Sequence, residues 1–174
     1  IEKLAECEKF CPQFHISLQS GCTKTLKNMN RHYTAEEYEE LCIKLRSTFP
    51  DASITTDVMV GFNEESEDDF RESLEFVKKI GFEKVHVFPY SERKGTLASR
   101  KGDSVSKSVK EKRAAEMIAQ ADAIRKEFFK KYLGKSIRVL VENKIGDFLY
   151  SGYTENYLPV HIKSDNCKLG QIVS

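Results

Sequence analysis

Residues 52–90 read ASITTDVMVGFNEESEDDFRESLEFVKKIGFEKVHVFPY, two apolar runs on either side of an amphipathic one. The mostly apolar run 52–62 predicts a strand, and KVHVFPY (84–90) predicts the next one. Between them EESEDDFRESLEFVKKIGF repeats its apolar residues at helical spacing, which turns Phe70, Leu74 and Val77 inward, and Gly81 supplies the stop. Strand, helix and strand joined by short connections are the signature of a βαβ unit and a parallel sheet.

The same alternation extends toward the N-terminus. QFHISL (13–18) predicts a short strand, followed by a helix over SGCTKTLKNM with Thr23 as its N-cap and Gly21 as a permissive backbone position ahead of it. Thr34 and Glu37 form a capping-box pattern. The helix they open places Tyr38, Leu41, Cys42, Leu45 and Phe49 on one face, and Pro50 and Asp51 close it.

Beyond Tyr90 the pattern changes twice. Residues 91–103, SERKGTLASRKGD, form a polar loop without periodicity, long enough to suggest a functional role. A long helix is expected from about Ser106 to Leu133, with Val109, Ile118, Ala121, Ile124 and Phe128 as its apolar stripe and Gly134 at its end. From Ser136 onward the period is two, in IRVLVE, DFLYSGYT, YLPVHIK and GQIVS, with a turn signal at Ile145-Gly146-Asp147. These four runs predict a small antiparallel sheet that stops short of the roughly five strands of a closed small barrel.

Composition bounds the function. The chain has 174 residues, 40% hydrophobic and 32% charged, enough to bury a core beneath a polar surface. The sequence shows neither an apolar run of membrane-spanning length nor a signal peptide, so the reading is cytoplasmic, with no membrane partner. The opening IEKLAE reads as the interior of a helix, from which we expect a piece of a longer protein.

Net charge is +1, but it is unevenly spread: residues 34–83 carry 14 Asp/Glu against 5 Lys/Arg, and residues 93–138 carry 14 Lys/Arg against 5 Asp/Glu. A polyanion contacting the C-terminal side suits this asymmetry, and so does a solvated helix face.

The five cysteines, at 7, 11, 22, 42 and 167, are scattered, as expected of free thiols in a reducing compartment. CEKFCPQF (7–14) imitates a C-x₃-C-x₂-C cluster triad, with Phe14 where the third cysteine would stand. We read it as an accident of spacing, with Cys7 on a helix, Cys11 at the end of that helix and Phe14 in the core. Cys11, His15, Cys22 and His32 fit no common zinc spacing, and a Cys22 nucleophile has no recognisable base.

Five segments carry a family resemblance. HISLQSGCTKTLKNMNRHYT (15–34), TTDVMVGFNEESEDDF (55–70), VHVFPYSERKGT (85–96), VKEKRAAEM (109–117) and GYTENYLPV (152–160) resemble, in that order, the radical S-adenosylmethionine methylthiotransferases. The resemblance implies an α/β fold. Residues 1–133 would be the C-terminal half of a partial parallel (β/α) barrel including the basic helix, and residues 134–174 an RNA-binding, TRAM-like antiparallel β-barrel that is incomplete.

The resemblance also implies a site. Strand ends at a barrel mouth present polar side chains to ligand, and Gln19 and Asp57 fall there. A carboxylate that accepts two hydroxyl hydrogen bonds and an amide that donates or accepts suit a ribose. A backbone-satisfied amide and a helix-capping or ion-paired carboxylate are the structural alternatives. Family likeness adds Ser20, Val60, Gly61 and Tyr90 to the cofactor-binding set, with VMVGF flanking the adenine. The sequence departs from the family at 62–66, reading FNEES where FPGET is usual.

For RNA the expected contacts are Arg93, Lys135, Arg138, Asn156 and Tyr157, with Tyr150, Tyr153 and Tyr157 offering ring faces of which alternation turns some inward. Arg93 reads equally as a solvated loop residue.

The function so implied is addition of a methylthio group to C2 of N6-threonylcarbamoyladenosine beside a tRNA anticodon. The preference for that branch rests on SGC at 20–22 followed by TLKNMNRHYT, together with FPYSERKGT at 88–96. The alternatives are methylthiolation of isopentenyladenosine or of a ribosomal protein, or a non-catalytic RNA-binding protein. The implied cofactors are S-adenosylmethionine, cleaved to a 5′-deoxyadenosyl radical, and two 4Fe–4S clusters held by cysteines upstream of this chain. The electron donor and sulfur source are unidentified. This chain alone is accordingly expected to hold no iron and to be inactive, with no catalytic or metal residue of its own. The tRNA anticodon stem-loop is the expected partner.

Overall fold

The computed structural model describes residues 1–100 and 102–174, leaving Lys101 of the 91–103 loop outside the described residues. Two compact units emerge: one from residues 15–44 and 54–129, the other from residues 1–14, 45–53 and 130–174.

In the first unit, β2 (Ser53–Val60) and β3 (Lys84–Pro89) pair in parallel, with Asp57 opposite His86 and Met59 opposite Phe88. With β1 spanning Gln13–His15, the strand order is β1-β2-β3; residues 13, 14 and 53 of these strands are counted in the other unit. The expected strand 13–18 is thus regular only at its start, and it rejoins β2 through a parallel bridge from Gln19 to Val58.

The crossover α4 (Glu67–Ile80) is capped at both ends as its sequence demands. The Ser66 hydroxyl accepts from Asp69 N–H, the Asp69 carboxylate accepts from Ser66 N–H, and Gly81 ends the helix at φ 68°. Phe70, Leu74 and Val77 are buried.

The helices α2 (Thr23–Asn28) and α3 (Ala35–Thr48) adjust two expectations. Cys22, not Thr23, is the N-cap of α2, and it makes no side-chain capping bond. The Thr23 hydroxyl turns to the next helix, accepting from Ala35 N–H at 3.0 Å and donating to Glu36 at 3.2 Å. The Thr34–Glu37 box forms in both directions, at 3.2 and 2.8 Å. Tyr38, Cys42 and Leu45 are buried, whereas Leu41 is 37% exposed, because Ala35 completes the inward stripe on its far side.

The long helix α6 (Lys107–Lys130) buries Arg113, Met117, Ala121, Ile124 and Phe128. Steps of four, four, three and four residues centre this stripe one residue before Ile118, which is therefore 47% exposed. Val109 is only half-buried, and its neighbour Lys110 takes the inward position. The loop ahead of α6 contains a turn of helix, α5 (Leu97–Arg100), that the composition did not indicate.

In the second unit, β4 (Val139–Gly146), β5 (Leu149–Thr154), β6 (Pro159–Lys163) and β7 (Ile172–Val173) form an antiparallel sheet in the order β6-β5-β4-β7. The count and direction match the period-two runs. Val139, Val141, Tyr150 and Leu158 form its buried face.

The helix α1 spans only Glu2–Ala5, so Cys7 and Cys11 lie beyond it and are exposed, contrary to the helical placement expected for them. Phe14 is half-buried in a ring cluster with Phe10 and Phe49, at centroid distances of 5.3–5.5 Å.

Candidate functional site

The strand ends of the parallel sheet open into a cavity of about 720 Å³ lined by Gln19, Asp57, Tyr90 and Arg93. Gln19 reaches it through an unusual backbone. Its φ is 68°, while its N–H donates to Asp57 O and its carbonyl accepts from Met59 N–H, both at 2.8 Å. The left-handed region disfavours side chains, so the sheet bonds on both sides hold this conformation in place. Asn28 and Asn30 line the same cavity, and Asn30 also has positive φ, at 59°.

Tyr90 is wedged. Its N–H donates to Val60 O at 2.8 Å, its ring lies 4.9 Å from that of Phe62, and the Lys110 ammonium sits 4.9 Å from the ring centroid. Its hydroxyl is buried without a partner among the described residues, a costly state. Burial pushes the phenol pKa up, and the charges of Glu92 and Asp103 add to it.

Behind the cavity, α6 tethers the loop after β2. Gly61, at φ 69°, donates its N–H to Glu65 Oε2 at 2.6 Å, and Arg113 Nη1 donates to the same oxygen at 2.9 Å. Arg113 also bonds the Glu65 carbonyl at 3.0 Å and Glu67 at 3.3 Å. Burial raises the Glu65 carboxyl above its usual range, outweighing the Gly61 N–H and the Arg113 charge, which oppose the shift. Lys110 pairs with Asp103. Two basic residues of the Lys-rich helix are therefore internal, not part of a solvated face.

The FNEES departure is accommodated by the same loop. Glu64 adopts φ 64°, the conformation a glycine would take without strain, and its N–H donates to Ser104 Oγ at 2.7 Å. Asn63 accepts from Ser104 N–H at 3.1 Å, and Ser66 keeps the capping hydroxyl.

Of the residues expected at the cofactor, Gln19, Asp57 and Tyr90 meet at the cavity. Ser20 and Val60 are fully buried away from it, and the Ser20 hydroxyl accepts from Cys22 N–H. Gly61 also lies outside the lining and serves the Glu65 contact. Arg93, an expected RNA contact, also lines the cavity. Sequence reasoning missed Asn28 and Asn30, for which the only signal was the Asn-rich end of TLKNMNRHYT.

In the second unit Arg138, Tyr153 and Tyr157 line a separate cavity of about 370 Å³. Tyr157, at φ 66°, stacks on Tyr153 with ring centroids 4.3 Å apart and remains 57% exposed. Tyr150 is the ring turned inward. Arg138 pairs with Glu155 at 3.0 Å, and exposed Lys135 lies over the Tyr132 ring.

Asn156 is committed internally. Its amide donates to Asp51 O at 2.7 Å and Tyr132 Oη at 2.6 Å, its Oδ1 accepts from Thr154, and its carbonyl accepts from Ser53 Oγ. Only 5% exposed, it has no side-chain group left to offer RNA.

Residues 1–77 match the Radical SAM superfamily. Along its whole length the chain is similar to proteins named for tRNA methylthiolation. It is 37% identical to the tRNA-2-methylthio-N(6)-dimethylallyladenosine synthase of Acetivibrio thermocellus, covering 100% of this chain and 37% of that protein. It is 40% identical to the protein of that name from Oceanobacillus iheyensis, covering 99% and 34% respectively. To the threonylcarbamoyladenosine tRNA methylthiotransferase of Bacillus subtilis it is 37% identical, over 99% of this chain and 39% of that protein.

Residues 1–77 thus match the radical S-adenosylmethionine superfamily, and the whole chain is similar to proteins named as tRNA methylthiotransferases. It spans a little over a third of the length of these relatives.

The cavity presents the Asp57 carboxylate and the Gln19 amide, groups that suit a nucleoside-sized ligand, and the Tyr90 ring is part of its wall. Among the described residues no group of three His, Cys, Asp or Glu side chains is arranged to hold a metal ion. No helix among them is long and apolar enough to cross a membrane.

Proposed function

We propose that this chain is the part of a tRNA methylthiotransferase that binds the nucleoside moiety of S-adenosylmethionine and contacts tRNA. The observation that supports it most is the convergence of Gln19, Asp57 and Tyr90 on one cavity. Asp57 would accept from ribose hydroxyls, Gln19 would bond a further polar group, and Phe62, Met59 and the Tyr90 ring would exclude water. When bound, S-adenosylmethionine supplies the radical and methyl chemistry that the superfamily's name denotes.

The whole enzyme would carry its 4Fe–4S clusters on cysteines outside this chain, so residues 1–174 alone would be inactive and bind no iron. The substrate would be a hypermodified adenosine beside the anticodon, reached through the anticodon stem-loop. Residues 134–174 would form a TRAM-like RNA-binding module in the cytoplasm. Tyr157 and Arg138 would contact the RNA by stacking and charge, with Lys135 nearby.

SGC at 20–22 favours N6-threonylcarbamoyladenosine, the substrate class in the name of the Bacillus subtilis relative. The Acetivibrio thermocellus and Oceanobacillus iheyensis relatives, named for dimethylallyladenosine, support the second reading. Nucleoside analysis of tRNA from a strain lacking the gene decides between them. Loss of the methylthio group from the threonylcarbamoyl nucleoside alone is expected. Loss from the dimethylallyl nucleoside alone establishes the second reading, and unchanged tRNA refutes both.

A further inference from the structure

We propose that His15 and Ser17 are positioning residues that orient the Asp57 carboxylate toward the ligand in the 720 Å³ cavity. The proposal rests on the nucleoside reading of that cavity. Asp57 stands on β2 with its side chain on the open face of the sheet, where a carboxylate rotates between rotamers unless something holds it.

Two side chains from the segment after Cys11 hold it, and both engage the same oxygen. Ser17 Oγ donates to Asp57 Oδ2 at 2.9 Å, and His15 Nε2 lies 3.2 Å from the same atom. No described protein donor is recorded on Oδ1, which leaves it to accept from a ligand.

The imidazole is itself oriented. His15 Nδ1 lies 3.0 Å from Thr55 Oγ1. With the proton on Nε2, the chain runs in one direction: the Thr55 hydroxyl donates to Nδ1, and Nε2–H donates to the carboxylate. Such a series polarises its members and resists rotation of any one of them. Thr55 and Asp57 are two residues apart on one strand and so share a face, while His86, opposite Asp57 on β3, packs 6.1 Å from the His15 ring. None of these neighbours belongs to the cavity lining, so they would act on the ligand only through Asp57.

The test measures binding by the full-length enzyme, using titration calorimetry with S-adenosylhomocysteine and its 2′-deoxy and 3′-deoxy forms. A carboxylate held in place is expected to favour the complete ribose by about tenfold over one of the deoxy forms, as one hydrogen bond to a charged group allows. In His15→Leu/Ser17→Ala that preference should fall to within about twofold, with the thermal midpoint checked in parallel. His15→Gln, whose amide N–H can replace Nε2–H, should restore most of it, an outcome that a general packing role for His15 would not produce.

A preference that persists undiminished in the double variant overturns the proposal while leaving the ribose reading intact. Wild-type enzyme that binds all three ligands equally refutes the ribose reading, and the proposal with it. If the double variant does not fold, the comparison of Ser17→Ala with Ser17→Thr decides, since only the second keeps the donor.

Discussion

Gly61→Ala is expected to destabilise the protein by about 2–5 kcal/mol, from two sources that a second substitution separates. The backbone at Gly61 has φ 69°, where a Cβ costs about 1–2 kcal/mol. A Cβ built there would also overlap Lys110 Cγ, deep inside the contact limit. Lys110 cannot easily move away: its side chain is 8% exposed, its ammonium is fixed over Tyr90 and paired with Asp103, and Cγ lies near the root of the side chain. Forcing such an overlap costs about 1–3 kcal/mol more. Truncation in Lys110→Ala removes Cγ, so in the double variant the backbone cost of Gly61→Ala should remain together with a milder contact to Lys110 Cβ at 3.3 Å. Urea unfolding of the four proteins measures the coupling, expected at about 1–3 kcal/mol. If the two substitutions add to within about 0.5 kcal/mol, the contact does not constrain Gly61 and the reasoning fails.

Three further outcomes follow from buried charges and strained backbone. Arg113→Met leaves Glu65 buried without its cation and is expected to cost about 3–5 kcal/mol in urea unfolding, with Arg113→Met/Glu65→Gln recovering part of the loss. Glu64→Gly removes a side chain from a left-handed position and should be neutral or stabilising by up to about 1 kcal/mol, whereas loss of more than that would show that the Glu64 side chain holds the loop. Burial would raise the Asp69 carboxyl, but Lys24 and the Ser66 cap override it and hold its pKa at about 2, below the ordinary 3.8. A lowered carboxyl pKa stabilises above the unfolded value and loses that contribution as pH falls through the folded one. Stability should therefore drop by about 1–2 kcal/mol between pH 5 and pH 2, discounted for the exposure of Lys24, and Asp69→Asn should flatten that drop.

Regular patterns were legible in the sequence where they repeat locally. The switch of apolar period from 3.6 to two separated the βαβ region from the antiparallel sheet, and the Ser66 and Thr34 boxes marked helix starts. Errors arose where tertiary context chose between near-equivalent residues. Leu41 and Ile118 are as apolar as their buried neighbours, and only the angle at which each helix docks left them outside. Lys110 and Arg113 read as part of a solvated basic face because their partners, the Tyr90 ring and the buried acceptor Glu65, lie 20 and 48 positions away in sequence. At the site, strand-end logic found Gln19 and Asp57, which a sheet must present together. Asn30 depends on a backbone conformation that no composition rule signals.

The Asn156 hydrogen bonds also bear on when the protein becomes complete during synthesis. Ser53 Oγ and the Asn156 carbonyl are 103 positions apart, and the Asn156 amide and Asp51 carbonyl 105. At translation rates of about 5–20 residues per second, Asp51 and Ser53 emerge roughly 5–20 s before their partner exists. For that interval the ring cluster of Phe10, Phe14 and Phe49 has only a partial unit around it, so its apolar surface stays open to water until the later residues arrive. The same bonds mean that residues 134–174 made alone would leave Asn156 without Asp51, Ser53 or Tyr132.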